Sequence, residues 1–303
     1  METLREIRRH IRSIGNLSQV TKALEAVSAS KVQKAQAAVL ATRPYAHRAW
    51  ELIVNIACVR GEKFHSLLTH REPVHSVLIV LFTSDRGLCG AYNQNIIRAT
   101  TDYVEQLGVP VSYIAVGRRG RDVIWRMQAD LVAEFHGLPA VPSFVDVSAI
   151  ARTAIEEFLQ ERADAIFLAY TDFINLMRQQ PVIKRLLPLT PSRLEEQAVS
   201  EYVVDMQPLG VAEYIYEPGK AEIMNAVLPR FTELQVYQAT LEASASEHAA
   251  RRMAMRNATD NAEELLRDLT LMRNKARQQA ITSELLDIAG GAEALEQALQ
   301  AAR

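Results

Sequence analysis

The chain has 303 residues, with 49% hydrophobic side chains, 23% charged side chains and a formal net charge of −2. These values are ordinary for a folded protein of about two domains, and they exclude an intrinsically disordered chain. Cys58 and Cys89 are the two cysteines, too few for a disulfide framework and too isolated for a metal site. One bridge between them is an open alternative, but it is not the preferred interpretation. The first residues lack the apolar core of a secretory signal, and no run of 18 apolar residues occurs, so we expect neither export nor a membrane span.

The charge is unevenly distributed along the chain. Residues 1–50 carry nine basic and three acidic side chains, whereas residues 231–303 carry eight basic and eleven acidic ones. A basic helix can bind nucleic acid or a membrane surface, but it can equally pair with an acidic helix or face an acidic partner. The basic residues of the first segment are not interleaved with aromatic ones, which argues against binding of single-stranded nucleic acid.

Residues 3–58 are predicted to form a long helix. Apolar side chains recur along it in steps of three and four, a spacing typical of a narrow coiled-coil seam: Leu4, Ile7, Ile11, Ile14, Leu17, Val20, Leu24 and Val27. Pro44 is expected to kink this helix or to end one segment near Arg43. The helical pattern resumes and runs to Gly61, and a linker is predicted from there to Pro73.

Short apolar runs then alternate with amphipathic segments. The predicted strands are 77–82, 111–116, 165–170 and 181–188. The predicted helices are 93–107, 121–128 and 147–161. This alternation favours a parallel or mostly parallel sheet with both faces covered, and residues 193–220 provide the return connection.

The last quarter of the chain is predicted to be one continuous helix. Residues 230–289 contain neither proline nor glycine and are rich in strong helix formers. A helix of that length would extend roughly 90 Å, which does not suit a compact domain. Charged residues recur throughout it, which excludes a membrane span, and no period of 20–50 residues indicates a solenoid. The helix therefore needs a coiled-coil partner, and the N-terminal helix can supply one.

These elements together predict the fold class. We expect an α/β protein in which two long terminal helices form an antiparallel coiled coil, with an inserted small Rossmann-like α/β domain of mostly parallel strands. The helices are expected to bury their seams against each other, away from the inserted domain. The predicted divisions are an N-terminal helix at 1–60, the α/β domain at 74–210 and a C-terminal helix at 211–303.

The turn after the first strand is where an α/β protein would bind a phosphate. Neither G-x-x-x-x-G-K-[ST] nor G-x-G-x-x-G occurs there, so a plain turn packed against its own domain is the preferred interpretation. Ser84 and Asp85 could act as a nucleophile and its orienting group, but no G-x-S-x-G elbow surrounds Ser84. Cys89, near a helix start, is either a reactive thiol or, more often, a small buried apolar residue.

Other candidate sites are weaker. The segment Gly117–Arg121 is basic and flanked by glycines and could contact an anion, although a solvated turn is preferred. The seven histidines include no H-E-x-x-H motif and no close pair beside carboxylates, so no metal site is expected. Because no catalytic constellation is assembled, the residues favour a mechanical or architectural function.

Three separated stretches resemble the gamma subunits of rotary ATP synthases, in the order that this family has them. The first lies in the N-terminal helix: Ile11-Arg12-Ser13-Ile14, Asn16, Thr21-Lys22-Ala23, Val27–Lys31 and Lys34-Ala35-Gln36. The second is the turn Thr83–Gly90, followed by Tyr92-Asn93. The third lies near the C-terminus: Ala258–Ala262, Asn274–Gln278, Ile281–Glu284, Asp287, Gly291 and Ala292. The match spans the whole chain, with local departures at Gly15, Leu17-Ser18, Ala91 and Met272-Arg273.

The resemblance implies a non-catalytic rotor shaft in the central stalk of an F-type ATP synthase. The paired helices would turn inside a ring of three alpha and three beta subunits, coupling rotation driven by ion flow through the membrane sector to ATP synthesis or hydrolysis. It implies no catalytic residue, cofactor, metal or nucleic acid for this chain. The epsilon subunit and the membrane c-ring are the other implied partners. The chain is expected at the cytoplasmic face of a bacterial plasma membrane, peripheral and without insertion.

The resemblance also implies contact residues. The positions that would meet the beta-subunit loops and receive torque are Lys22, Leu24, Arg277, Gln278 and Thr282. The positions that would lie at the foot, against the membrane ring and the epsilon subunit, are Tyr214, Tyr216 and Glu217. A turning tip needs a smooth apolar surface, and the chain offers one at Ile281, Leu285, Leu286, Ile288, Ala289 and Ala292.

Two other classes of function stay open on the residues alone. An α/β nucleotide-binding enzyme with helical dimerisation arms would need the turn Gly87–Gly90 to bind phosphate. A purely structural coiled-coil scaffold would form homodimers and would leave ATPase activity unaffected. Nucleotide binding by the isolated chain would indicate the enzyme, and homodimerisation would indicate the scaffold.

Overall fold

The computed structural model describes residues 3–60, 65–190 and 219–301, and the elements in those ranges are as follows. The α-helices are α1 (Leu4–Arg60), α2 (Tyr92–Leu107), α3 (Arg118–Arg126), α4 (Phe144–Leu159) and α5 (Lys220–Ala301). The strands are β1 (Val77–Phe82), β2 (Val111–Val116), β3 (Asp130–Phe135), β4 (Ala165–Phe173) and β5 (Gln179–Leu187), and a short 3-10 helix covers Ser66–Leu68. Within these ranges, no helix is both long and apolar enough to cross a bilayer.

The chain forms two compact units. The first contains Met1–Glu25 and Met255–Arg303, and the second contains Ala26–Ala254. Each unit therefore takes a part of both terminal helices, because α1 and α5 contribute residues to both. The finer division into 1–60, 74–210 and 211–303 stays a prediction.

A five-stranded sheet lies at the centre of the second unit. Its strand order is β3-β2-β1-β4-β5, with β1 paired in parallel to both β2 and β4, and β2 paired in parallel to β3. Only the pairing of β5 with β4 is antiparallel. This confirms the predicted α/β class with mostly parallel strands. The central strand β1 is an unbroken apolar run because both of its faces are buried.

The two faces of the sheet have separate hydrophobic cores. On one face, Ile79 and Leu81 of β1 pack with Ile96 of α2 and Ile124 of α3. On the other face, the alternate side chains of β1 belong to a larger core that includes α4 and parts of both terminal helices. Its members include Leu78, Val80, Phe82, Trp50, Ile53, Ile150, Phe158, Phe231, Leu234 and Val236.

The terminal helices thus pack on the sheet, and the expectation that they lie away from the inserted domain is wrong for the second unit. In this unit α1 and α5 also run antiparallel, as predicted. Thr42 of α1 contacts Gln238 of α5. Eight residues later on α1, Trp50 contacts Phe231, which lies seven residues earlier on α5. Residues 231–243 of α5 are buried on almost every side. A helix enclosed in this way cannot have the single apolar stripe of a surface helix.

The predicted seam of α1 is displaced by one residue in places. Leu17, Val20 and Val27 are 54%, 56% and 52% exposed. The side chains buried instead include Thr21 in the first unit and Ser28 in the second. The hydroxyl oxygen of Thr21 lies 2.7 Å from that of Thr259, and the hydrogen bond between them offsets the cost of burying both polar groups. Small hydroxyl side chains let two helices approach closely, and a scan for apolar residues alone overlooks them.

Helix α1 continues through Pro44, so of the two predicted alternatives the end near Arg43 is wrong, and the kink stays a prediction. A proline inside a helix costs about 3 kcal/mol or more, because it removes one hydrogen bond and crowds the preceding turn. Pro44 itself is exposed, but Ala46, Ala49 and Trp50 directly after it are buried in the core. Their packing offsets the cost and holds the helix together.

The other predicted elements are confirmed, with one omission. Strands 77–82 and 111–116 match β1 and β2, and the predicted helices correspond to α2, α3 and α4 within a few residues. The sequence prediction missed β3. This edge strand begins with Asp130 and contains Glu134, both exposed, so it lacks the continuous apolar run that marks a buried strand.

The chain has two tryptophans, which allow a matched test of the core. Trp50 is 1% exposed, with its ring 5.4 Å from that of Phe231, whereas Trp125 is 73% exposed. We expect Trp50→Ala to lower the free energy of unfolding by about 4 kcal/mol, because it leaves a cavity in the core. Trp125→Ala should change it by less than about 0.5 kcal/mol. Urea denaturation followed by far-ultraviolet circular dichroism measures both, and equal losses would contradict the assignment of this core.

Candidate functional site

The loop of residues 83–90, which follows β1, is fixed by its own polar groups. The side-chain oxygen of Asn93 accepts a hydrogen bond from the backbone N–H of Ser84 at 2.9 Å. The side-chain nitrogen of Asn93 lies 2.7 Å from the Ser84 hydroxyl and 3.2 Å from the sulfur of Cys89. The Ser84 hydroxyl donates to the carbonyl of Arg86 at 2.7 Å. Both Ser84 and Cys89 are buried. The structure thus places Cys89 as a small buried residue and uses the hydroxyl of Ser84 to close a turn.

Asp85 does not orient Ser84. Its carboxylate accepts the backbone N–H groups of Arg118 at 3.1 Å and Gly137 at 2.8 Å. Those bonds tie the loop after β1 to the starts of the segments after β2 and β3. A nucleophile needs an exposed oxygen beside a base, and this pair has neither.

The same loop caps helix α3. The backbone N–H of Arg118 donates to Asp85, that of Arg119 to the carbonyl of Ser84 at 3.1 Å, and that of Gly120 to the hydroxyl of Thr83 at 2.8 Å. The first N–H groups of a helix lack partners within the helix and are the groups that bind an anion in phosphate-binding folds. Here the protein's own loop uses them, which removes the basis for anion binding by the segment Gly117–Arg121.

Two glycines make this close contact sterically feasible. Gly117 has φ of 99°, and a Cβ built there would overlap the carbonyl oxygen of Thr83. A Cβ at Gly120 would lie 2.9 Å from the hydroxyl oxygen of Thr83, closer than side chains approach. The glycine flanks seen in the sequence therefore serve loop-to-helix packing.

Substitution of these glycines gives a stability test with a matched control. Gly117→Ala should lower the free energy of unfolding by about 3 kcal/mol, from the left-handed backbone and the overlap with Thr83 together. Gly108 also has a positive φ, but a Cβ there would meet nothing within 4 Å. Gly108→Ala should therefore cost only about 1 kcal/mol. The denaturation midpoints of the two variants compare the effects, and equal shifts would argue against the packing role of Gly117.

Helix α5 lies against this loop within the second unit. The guanidinium of Arg251 donates to the carbonyl of Gly87 at 3.4 Å and to that of Arg86 at 3.3 Å. On its own helix, Arg251 forms an ion pair with Glu247 at 2.7 Å and lies 3.2 Å from Nδ1 of His248. Arg251 thus joins two loop carbonyls to two side chains of α5.

Two further contacts hold α5 at the carboxyl ends of the strands. The hydroxyl of Tyr92, at the start of α2, donates to the carbonyl of Ala243 at 3.1 Å, and Ser244 donates to the carbonyl of Ala140, after β3, at 2.5 Å. The order of the strands reverses between β1 and β4, and open α/β sheets bind ligands in the crevice at such a point. In this protein α5 packs against the loops that would form that crevice.

Burial governs the electrostatics of this contact. It raises the pKa of Tyr92 well above the usual value, and the Glu247 carboxylate adds to that rise. Burial also raises the pKa of Glu247, although Arg251 and Lys31 oppose the change. It lowers the pKa of His248 to about 4, and the positive charges of Arg251 and Lys31 add to this effect. His248 is therefore neutral at pH 7 and can accept a hydrogen bond.

His248 should make stability depend on pH. Its pKa rises from about 4 in the folded protein to about 6.5 on unfolding, so the unfolded chain binds the proton more readily. Stability is then highest above pH 6.5 and falls as the pH drops toward 4, by about 3 kcal/mol in total. His248→Gln should remove this part of the dependence. Denaturation at pH 7.5 and pH 5 measures the free energy of unfolding of the unchanged chain and of the variant. If both lose the same stability between the two pH values, the assignment to His248 is wrong.

The residues proposed for torque contact lie on the terminal helices of the first unit. Lys22, Arg277, Gln278 and Thr282 are exposed, and Leu24 is half-buried. The structure brings Gln278 and Thr282 onto successive turns, where the Thr282 hydroxyl donates to the carbonyl of Gln278 at 2.9 Å. Three other predicted contact residues lie outside the described residues: Tyr214, Tyr216 and Glu217. The side chain of Cys58 also lies outside them.

The sequence prediction missed the residues that join the loop to α3 and to α5. Gly117 and Gly120, which allow the contact with α3, are a signal in the sequence that the preference for a solvated turn overlooks. Tyr92 appeared only as part of the family resemblance. Arg251 has no distinguishing signal in the sequence, because α5 contains several other arginines.

Comparison with known proteins gives a consistent result over the whole chain. A sequence model of a family described as ATP synthase matches residues 3–295. The ATP synthase gamma chain of Dehalococcoides mccartyi (strain CBDB1) is 45% identical over 97% of this chain and 100% of its own length. That of Roseiflexus castenholzii (strain DSM 13941 / HLO8) is 45% identical over 97% of this chain and 99% of its own length. A rotor chain of the Euglena gracilis mitochondrial ATP synthase has a similar fold, with a TM-score of 0.61 and 21% identity, covering 92% of this chain and 98% of that one.

Proposed function

The chain belongs to the family of ATP synthase gamma chains, and we propose that it works as the non-catalytic central stalk of such a complex. In this function it turns within a ring of three alpha and three beta subunits and couples rotation to ATP synthesis or hydrolysis at sites in the ring. Ion flow through the membrane sector drives the rotation. The epsilon subunit and the membrane c-ring are its partners at the foot.

The exposed apolar side chains of the first unit are the observation that carries this proposal. Leu271, Leu285, Leu286 and Ile288 of α5 are 68%, 62%, 67% and 70% exposed, and every described residue from 281 to 292 is exposed. A protein that acts alone rarely leaves such a run of large apolar side chains in water, because their burial against a partner is favourable. A surrounding ring of subunits would cover this surface on all sides and let it turn.

The torque contacts are proposed at the positions that match the family pattern. Arg277, Gln278 and Thr282 on α5, with Lys22 and Leu24 on α1, would meet loops of the beta subunits. Exposure of the polar members of this set supports the proposal, since a partner in solution can reach these side chains. Arginine suits such a contact because its planar fork binds a carboxylate with two hydrogen bonds.

A separate segment of the chain is proposed to form the foot. Tyr214, Tyr216 and Glu217 would contact the c-ring and the epsilon subunit. The proposed divisions are an N-terminal helix at 1–60, an α/β domain at 74–210 and a C-terminal helix at 211–303 that pairs with the N-terminal one. We place the chain at the cytoplasmic face of a bacterial plasma membrane, held there by its partners without insertion. The similarity to gamma chains of Dehalococcoides and Roseiflexus supports the bacterial assignment.

Reconstitution tests the proposal. Purified alpha and beta subunits from the same source are mixed with this chain, and ATP hydrolysis is compared with and without it. The proposal expects stable association and sustained turnover that depends on the chain. Failure to associate with alpha and beta, together with ATP or dinucleotide binding by the chain alone, would overturn it in favour of an α/β nucleotide-binding enzyme.

A double substitution examines the torque contacts. Arg277→Ala with Gln278→Ala should lower hydrolysis by the reconstituted assembly about ten-fold, since loss of a charge-assisted contact is worth roughly 1.5–3 kcal/mol. Arg256→Ala with Asn257→Ala is the matched control, because that pair is also an exposed arginine and amide on α5. The control should hydrolyse ATP within about two-fold of the unchanged chain. Equal activity of the two double variants would rule out torque contact at 277 and 278.

A further inference from the structure

We propose that Arg251 is a positioning residue that locks the loop of residues 83–90 onto helix α5, so that the α/β domain and this part of the helix turn as one body under load. The inference rests on the proposed function, because it concerns how torque passes between foot and shaft. It assigns to Arg251 a task inside the chain, separate from any contact with the ring.

The geometry of Arg251 supports this task. Its side chain is only 12% exposed, and its nitrogens contact acceptors on two elements. Nε and Nη2 reach the loop carbonyls of Arg86 and Gly87, at 3.3–3.4 Å. Nη2 also pairs with Glu247, and Nη1 faces His248. The helix thus sets the direction of the guanidinium, and the rigid fork then holds the loop.

The surrounding charges fix the hydrogen-bonding states in this cluster. His248 accepts from Arg251 only when it is neutral, and burial keeps it so at pH 7 by lowering its pKa. Lys31 of α1 faces both Glu247 and His248, and Asp85 of the loop also acts on Glu247. The cluster therefore includes charged groups from α1, α5 and the loop, and Arg251 is the member that bonds directly to the loop backbone.

The neighbouring apolar contacts are poorly suited to resist twisting. Between residues 245 and 254, the side chains that face inward include Ala245 and Ala249, which present a smooth surface. At Gly90, the end of the loop, a Cβ would lie 3.9 Å from the Cβ of Ala254. Hydrophobic contacts of this kind are non-directional, whereas hydrogen bonds are directional. Between residues 245 and 254, resistance to rotation of α5 about its own axis therefore depends on polar contacts, and Arg251 supplies three hydrogen bonds to the loop carbonyls.

The test uses the complete membrane complex and the assembly of alpha, beta and this chain alone. Arg251→Ala should leave ATP hydrolysis by the assembly within about two-fold of the unchanged chain, while the number of coupling ions pumped per ATP by the membrane complex falls about five-fold or more. Arg251→Lys keeps the charge but loses the fork and should also pump poorly. Arg252→Ala is the matched control, since it removes the same charge from the next position, and it should pump normally.

A designed disulfide provides a rescue that a loss of folding would not show. The Cβ positions at Gly90 and Ala254 lie 3.9 Å apart, which suits a disulfide, whose Cβ atoms lie roughly 3.5–4.5 Å apart. Gly90 has φ of 58°, so cysteine there costs about 1 kcal/mol of backbone strain, and the variant and its control carry that cost equally. Gly90→Cys and Ala254→Cys are introduced with Arg251→Ala, in a chain whose Cys58 and Cys89 are replaced by Ala. Oxidation should restore ion pumping and reduction should abolish it again. The same cysteine pair with Arg251 retained is the control and should pump in both states.

The outcomes separate the lock from the proposed function. If the unchanged chain fails to stimulate hydrolysis by alpha and beta, the proposed function is wrong. If the unchanged chain stimulates hydrolysis and Arg251→Ala pumps as well as Arg252→Ala, only the lock is wrong. Formation of the disulfide without recovery of pumping would also overturn the lock.

Discussion

The close contact between Thr83 and the first turn of α3 determines the arrangement of the residues around it. Because Gly117 and Gly120 lack a Cβ, the backbone of Thr83 approaches α3 directly, and the three residues from Thr83 to Asp85 satisfy the first N–H groups of that helix. The start of the loop is fixed there, and the hydrogen bond from the Ser84 hydroxyl to the carbonyl of Arg86 closes the turn that follows. The carbonyls of Arg86 and Gly87 then face α5 and accept hydrogen bonds from it. A single steric constraint thus connects strand β1, helix α3 and helix α5.

Helix α5 meets two environments along its length, and its composition follows them. Within the second unit it is enclosed by the larger core, and even Glu233, Gln235 and Gln238 are buried there. Glu233 is stabilised in this position by Arg230 at 3.1 Å and Arg152 at 3.4 Å. Within the first unit, its last described side chains are exposed. Continuous helical propensity is what the two segments share, so the absence of proline and glycine from 230 to 289 predicts the helix without predicting its surroundings.

The sequence predicts the elements whose signal is local. The run Val77–Phe82 is apolar throughout because β1 is buried on both faces, and the strand follows directly from it. The sequence does not predict features that depend on distant partners. Thr21 looks like a surface residue until Thr259 lies beside it, and Val20 looks like a core residue although it is 56% exposed. Arg251 likewise gains its place only when the loop carbonyls are known, since its own helix offers several equivalent arginines.

The exposed apolar side chains of α5 bear on how a cell can make this protein. Leu285, Leu286 and Ile288 lie close together on a helix that would emerge late in synthesis, and each is more than half exposed. An accumulated surplus of the chain would offer these side chains to one another, and contact among them would lead to aggregation. Supply of the chain must therefore be matched to the subunits that cover this surface, and imbalance would appear as insoluble protein before it appeared as lost activity.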